Sequence, residues 1–153
     1  MPVADAPAAH TPAHHAPAHH RRGRFDRVEW AVYRAINHVR ARHGLPRLHL
    51  SPKMSAIAAW HSRDLLIHGM LSHSSSDGTP FYSRIRRVAN ARAVGENLIE
   101  FRGNCTGRRI VSAWMHSPPH RAELLAGGYR RVGVGRSRGG HVSVVTADFA
   151  SGR

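Results

Sequence analysis

Three residues of this 153-residue chain combine reactive side-chain types with positions that could present them: His73, Glu96 and His120. Each stands beside a turn or a helix boundary: His73 in LSHSSSDGTPF, Glu96 in AVGENLIE and His120 after SerProPro. Two imidazoles and a carboxylate can hold a divalent metal, zinc among them, with a second carboxylate or water completing the shell. The same groups can instead form a hydrogen-bonded acid/base cluster. In a metal-dependent hydrolase the imidazoles would position the ion while Glu96 helps a water attack. The chain has no HExxH element and no convincing serine nucleophile motif of the GxSxG type, so the sequence favours binding over catalysis. Glu96 can serve as ligand or as the carboxylate that orients His73. Spacing alone cannot bring the three together, so the elements that carry them decide the question.

Asp26 and Glu29 have the form of a capping box. Phe25, Val28, Val32, Ile36 and Val39 then recur at helical spacing until Gly44 and Pro46 stop the helix. Ser51 and Pro52 open a second helix, which carries Met54, Ile57, Ala58, His61 and Leu65 on one side and ends at Gly69. His61 and His68, seven residues apart, are expected to point the same way as hydrogen-bonded histidines at a helix edge. Thr79 and Pro80 repeat the start signal for a short helix reaching Tyr82, Ile85 and Val88, and AVGENLIE reads as a loop entering a short strand.

A further helix begins at Thr106 and carries Ile110, Val111 and Trp114. Ser117, Pro118 and Pro119 interrupt and restart it, which puts His120 at the third helical position. There the free N–H groups and the positive helix end disfavour protonation. The end of the chain reads as a hairpin: Val132 and Val134 share one face of the first strand, GlyGly turns at 139–140, and Val142, Val144 and Thr146 share a face of the second. Helices alternating with strands imply an α+β domain, a sheet covered by helices, over 25–150.

Residues 1–24, built from Ala, Pro, His and Arg without periodic large apolar side chains, are expected to form a disordered tail, and 151–153 a short C-terminal one. His10, His14, His15, His19 and His20 could concentrate metal, although a plain Ala/Pro linker explains the same composition. Met1–His20 has neither the basic start nor the uninterrupted apolar run of a secretory signal. Cys105, the only cysteine, excludes an internal disulfide and a multi-thiolate metal site. Lysine plus arginine outnumber aspartate plus glutamate by 23 to 9. That favours anionic surfaces as partners. The arginines are spread along the chain, and no recognition-helix or aromatic RNA-binding motif accompanies them, which argues against nucleic acid.

Several stretches, in order, resemble one family. They are Asn37, His38, Val39 and Arg40 leading to Gly44, Leu45 and Leu48; Leu50 and Ser51 before Met54 and Ala58; Ser72 and His73; Gly95, Glu96, Asn97 and Leu98; Trp114 and Met115; Ser117, Pro118, His120 and Arg121; and Tyr129 with Val132, Gly133, Val134 and Gly135. In these the chain resembles the CAP superfamily (cysteine-rich secretory proteins, antigen 5 and pathogenesis-related proteins) in its disulfide-free bacterial, SCP-like form. The resemblance implies a three-layer α/β/α sandwich with a central antiparallel sheet and a cleft lined by His73, Glu96 and His120. With such a cleft, a noncatalytic module for a small apolar or amphipathic ligand, such as a lipid or envelope component, is expected, with a divalent metal as the candidate cofactor. His73 and His120 would be its ligands and Glu96 the orienting or ligating carboxylate. Metal-dependent hydrolysis, or recognition of an extracellular polymer or protein, is the alternative. A monomer in the extracellular or periplasmic space is expected; with no signal peptide visible, the cytoplasm remains open. Where the eukaryotic pattern carries a second glutamate and a late histidine, this chain has Ser117 and Val144, and His141 has the wrong strand parity to substitute.

Overall fold

The computed structural model describes residues 25–152. The expected tail of 1–24, with its five histidines, lies outside the described residues. The elements run α1 (Arg27–Arg42), β1 (His49–Leu50), α2 (Pro52–His68), α3 (Phe81–Arg86), β2 (Val94–Arg102), α4 (Gly107–Met115), α5 (Pro118–Leu125), β3 (Tyr129–Gly139) and β4 (Val142–Ser151). The capping box at Asp26 and Glu29 is formed in both directions, and Gly69 ends α2 in the left-handed region at φ 60°. Both follow from local sequence. The short helix after Thr79 starts one residue later than its signal suggests, with Pro80 as N-cap, and ends before Val88.

The sheet order is β1-β3-β4-β2. The β2–β4 and β3–β4 pairs are antiparallel, whereas β1 joins β3 in parallel, so the sheet is mixed rather than wholly antiparallel. AVGENLIE belongs to a nine-residue edge strand. Its length is set by pairing with β4, from Val94 opposite Ala150 to Arg102 opposite Val142. No described helix is long and apolar enough to cross a membrane.

Strand parity divides the interior into two faces. Val132, Val134, Val145, Ala147 and Phe149 meet Val32 and Ile36 of α1, Ile110 and Trp114 of α4 and Leu124 of α5 in the main core. Val144 and Leu98 point the other way and pack on Leu65 of α2, and Ala150 joins Met54 and Ile85. The two valine sets of the hairpin thus serve opposite layers. α2 lies unusually close to the sheet because Gly133 and Gly135 carry no side chain. A Cβ on Gly135 would meet the Ala59 backbone nitrogen at 1.9 Å, and one on Gly133 the Met54 carbonyl carbon at 2.3 Å.

The run from Asn37 to Leu48 is a set of structural clamps. Asn37 donates to the Leu48 carbonyl (3.1 Å) and accepts from its N–H (2.8 Å). The buried Arg40 guanidinium donates to the carbonyls of Pro46, Leu124 and Ala126, tying α1 to the end of α5. Cys105 is free and packs at the edge of the main core.

Candidate functional site

Glu96 and Asn97 lie side by side on the edge strand β2, and parity sends their side chains to opposite layers. The Glu96 carboxylate, with no exposed side-chain surface, reaches the α2–α3 layer. Arg84 of α3, itself buried, donates through Nη2 to Glu96 Oε2. His73, in the loop after α2, donates through Nδ1 to Oε1 at 2.8 Å. The Arg84 Nη1 group also donates to the His73 carbonyl (3.2 Å) and to Ser75 Oγ (3.1 Å), so one guanidinium holds both the loop and the carboxylate.

His61 completes the cluster. Its Nε2 donates to the Ser72 carbonyl at 3.0 Å, and Glu96 Oε2 lies 3.8 Å from the same nitrogen. Burial depresses its pKa below the ordinary histidine value, with Glu96 opposing and Arg84 assisting. A neutral imidazole results, bonded to the loop that carries His73. His61 and His68 differ in burial, although their spacing puts them on one side of α2. His61 is wholly buried, while half-exposed His68 turns back to the Asp64 carbonyl (2.9 Å). His61 falls three residues after Ala58 and four before Leu65, both buried, so its place in the apolar stripe was the signal for a core position.

On the other side of β2, the Asn97 side chain donates to the His120 carbonyl at 3.0 Å and so fixes α5 against the strand. His120 sits at the third position of α5, as its sequence implies, although Ser117 makes no side-chain capping bond. Its pKa is lowered first by burial and then by the charge of His73, which places the two imidazoles in each other's field. Glu96 raises the His73 pKa, chiefly by hydrogen bonding, against a smaller opposing effect of burial. The two imidazoles therefore differ in character. His73 is stabilised as a cation, its ring against Phe81 at 5.8 Å between centroids, and His120 as a neutral base.

Two carboxyl groups at the site carry no motif. Asp148 lies directly across from Glu96 in the β2–β4 register and is fully buried. Burial first, and the Glu96 charge second, push its pKa well above the ordinary carboxylate range. Neither of its oxygens receives a hydrogen bond. The neutral acid is the form that can donate toward Glu96. Alternation with Val142, Val144 and Thr146 was enough to put Asp148 on the inner face. Glu123, three residues beyond His120 on α5, accepts from the Tyr129 hydroxyl at 2.6 Å and adds to the field that raises the His73 pKa. Gly95 makes room for it: a Cβ there would meet Glu123 Oε2 at 1.9 Å.

Glu96 has spent one oxygen on Arg84 and the other on His73, and His73 has spent Nδ1. What remains is one imidazole nitrogen of His73 and the His120 ring, and Glu123, bound to the Tyr129 hydroxyl, does not join them as the third protein donor that a catalytic zinc takes. Among the described residues no group of three or more His, Cys, Asp or Glu is arranged to hold an ion. The arrangement as it stands does not fit the resident metal that the resemblance implied. Ser117 is a helix cap, Val144 is buried against Leu65, and exposed His141 lies at the hairpin turn, so none extends the donor set. His61, Arg84, His73 and Glu96 form a polar pocket in which the carboxylate is an anchor, consistent with a ligand-binding cleft.

Comparison with known proteins agrees with this architecture. The chain is 29% identical over 115 residues to the uncharacterized protein YkwD of Bacillus subtilis, an alignment covering 74% of this chain and 44% of that protein. It is 29% identical over 103 residues to the membrane protein YlbC of the same organism, covering 67% and 29%. The chain thus spans less than half the length of either relative. Among solved structures, an extracellular SCP-domain protein from Bacillus anthracis superposes with a TM-score of 0.71 at 25% identity, covering 79% of this chain and 39% of that one. An outer surface protein from Borrelia burgdorferi gives 0.71 at 20% identity, covering 80% and 90%. Residues 33–149, from the clamps on α1 through the Glu96 edge strand to the end of the hairpin, match the Cysteine-rich secretory protein family, and the chain belongs to that CAP family.

Proposed function

We propose that this domain is a noncatalytic binding module for a small amphipathic anion, held in the groove between α1 and α4. The observation that carries the reading is the groove itself, a cavity of about 760 Å³ with Trp30, Ala35, Val39, Val111 and Met115 among its lining residues and Arg27, Arg34 and Arg108 beside them. Apolar walls with a few convergent cations suit a chain-like hydrocarbon ending in a carboxylate or phosphate. The sequence assigned the ligand to the cleft of His73, Glu96 and His120. An apolar volume lies elsewhere, on the helix layer that covers the opposite sheet face. The cleft is a separate polar site, in which Glu96 holds His73 beside His120. Commitment of both Glu96 oxygens supports binding over general-base chemistry. Because the Bacillus anthracis relative is described as extracellular, we infer that this chain works outside the cytoplasm as well.

The test is binding of a fluorescent fatty acid to the purified full chain. Ser112→Trp, which fills the groove from an exposed position, should weaken binding by at least about tenfold, and Arg34→Ser with Arg108→Ser by a similar factor. His73→Ala with His120→Ala should leave it unchanged. Unaltered binding by the Ser112→Trp protein would refute the groove, and loss on removing the two histidines would return the ligand to the cleft.

A further inference from the structure

The outer face of α2 carries an unpaired stripe that the reading above does not use. Lys53, Ala56, Trp60, Arg63 and Ile67 are all exposed and recur at three- and four-residue spacing along one side of the helix. Trp60 is 51% exposed and Ile67 64%, and Leu71, just past the helix end, is 52% exposed. Trp60 and Ile67, seven residues apart, lie on nearly one line, about 10 Å apart along the axis. The inner side of α2 is fully occupied by its close contact with the glycines of β3, so these side chains are surplus to the core. Three large apolar side chains concentrated on one helix and its end mark an interaction site rather than ordinary surface scatter.

The charges of the stripe narrow the partner. It contains Lys53 and Arg63 and no acid. The acid nearest in sequence, Asp64, is turned inward and accepts from Ser76 N–H (2.7 Å) and Ser76 Oγ (2.6 Å). The tip of the β3–β4 hairpin adjoins the end of α2, where a Cβ on Gly139 would lie 3.3 Å from Leu66. A tryptophan and aliphatic side chains flanked by Lys and Arg are the composition of a helix that lies on a lipid surface, the rings and methyls entering the headgroup boundary while the cations meet anionic lipid. We propose that the outer face of α2, centred on Trp60, Ile67 and Leu71, is a docking surface for an anionic membrane. The chain's excess of 23 basic over 9 acidic residues supplies the long-range attraction, and the stripe supplies the short-range contact. This surface lies on the opposite layer from the α1–α4 groove and stands independently of that reading.

The experiment is sedimentation of the full chain with vesicles of phosphatidylcholine containing about 30% phosphatidylglycerol, beside pure phosphatidylcholine vesicles. Binding is expected only to the anionic vesicles, falling as salt is raised. Trp60→Ser with Ile67→Ser should weaken it at least about tenfold. Trp30→Ser, at the groove, should not change it. Circular dichroism checks that the surface variants remain folded, and vesicle-induced blue shift of tryptophan emission should vanish with Trp60→Phe and persist with Trp30→Phe. Failure to bind anionic vesicles, or equal binding by the Trp60→Ser/Ile67→Ser protein, overturns the proposal. So does a concentration-dependent dimer abolished by the same pair without vesicle binding, which would assign the stripe to a second copy.

Discussion

Replacing Glu96 by Gln removes the anion that Arg84 faces while keeping the shape of the side chain. Arg84 is 3% exposed and Glu96 4%, so the pair has little solvent to fall back on. Stripping one partner from a buried ion pair costs about 3–5 kcal/mol, because the other charge stays buried and unpaired. Here a substitute is at hand. Asp148, opposite Glu96 across the strands, is kept neutral by burial and by the Glu96 charge, while Arg84 already pulls its pKa down. In Glu96→Gln the repulsion vanishes and Asp148 can ionise toward Arg84, recovering part of the loss. Asp148→Asn alone replaces a neutral acid by a neutral amide and should cost little. The double variant leaves Arg84 with no anion and should suffer the whole 3–5 kcal/mol, about 1–3 kcal/mol more than the two single changes together. Urea unfolding of all four proteins at neutral pH, with matched m-values, measures this coupling. Additive losses, or an Asp148→Asn cost equal to that of Glu96→Gln, would refute the picture of one shared negative charge.

Three further expectations follow from the same geometry. The His120 pKa is lowered partly by His73, so His73→Ala should raise the His120 titration midpoint, read from its ring proton signals by NMR; an unmoved midpoint would separate the two rings. Because the folded-state pKa of Asp148 is raised, its contribution is fully present below about pH 3.9, the unfolded value, and is lost as pH rises through the folded value. The melting temperature of Asp148→Asn should therefore gain on wild type as pH climbs from acid to neutral, and a constant difference would argue that the group ionises normally. Gly135→Ala drives a methyl into the Ala59 backbone and should cost at least about 3 kcal/mol, whereas Gly128→Ala meets nothing within 4 Å and should stay within about 0.5 kcal/mol by thermal unfolding.

Local signals were dependable where one segment satisfies its own backbone. The Asp26/Glu29 box, the Ser51–Pro52 start, the Gly69 stop and the position of His120 in its helix are consequences of neighbouring residues, and all appear as expected. Element boundaries that depend on a partner were harder to see. β2 runs to nine residues because β4 offers it a ladder, and β1 exists only because β3 passes alongside. Family motifs pointed to His73 and Glu96, but not to the way they are held: Arg84 arrives from α3, unmarked by spacing, and Asp148 from β4, where alternation gives its face but not its partner.

The sequence by itself determined the helix starts and stops, the hairpin, the family, and the three residues around which a site could form. Tertiary structure alone decided what those residues can do. Packing buried His61 as a neutral hydrogen-bonded ring and set Asp148 against Glu96. It tied both oxygens of Glu96 to Arg84 and His73, and left the apolar volume between α1 and α4. The reason is physical. Capping and periodicity act over one turn of chain, whereas the protonation and availability of a carboxylate depend on burial and on charges that arrive from distant segments.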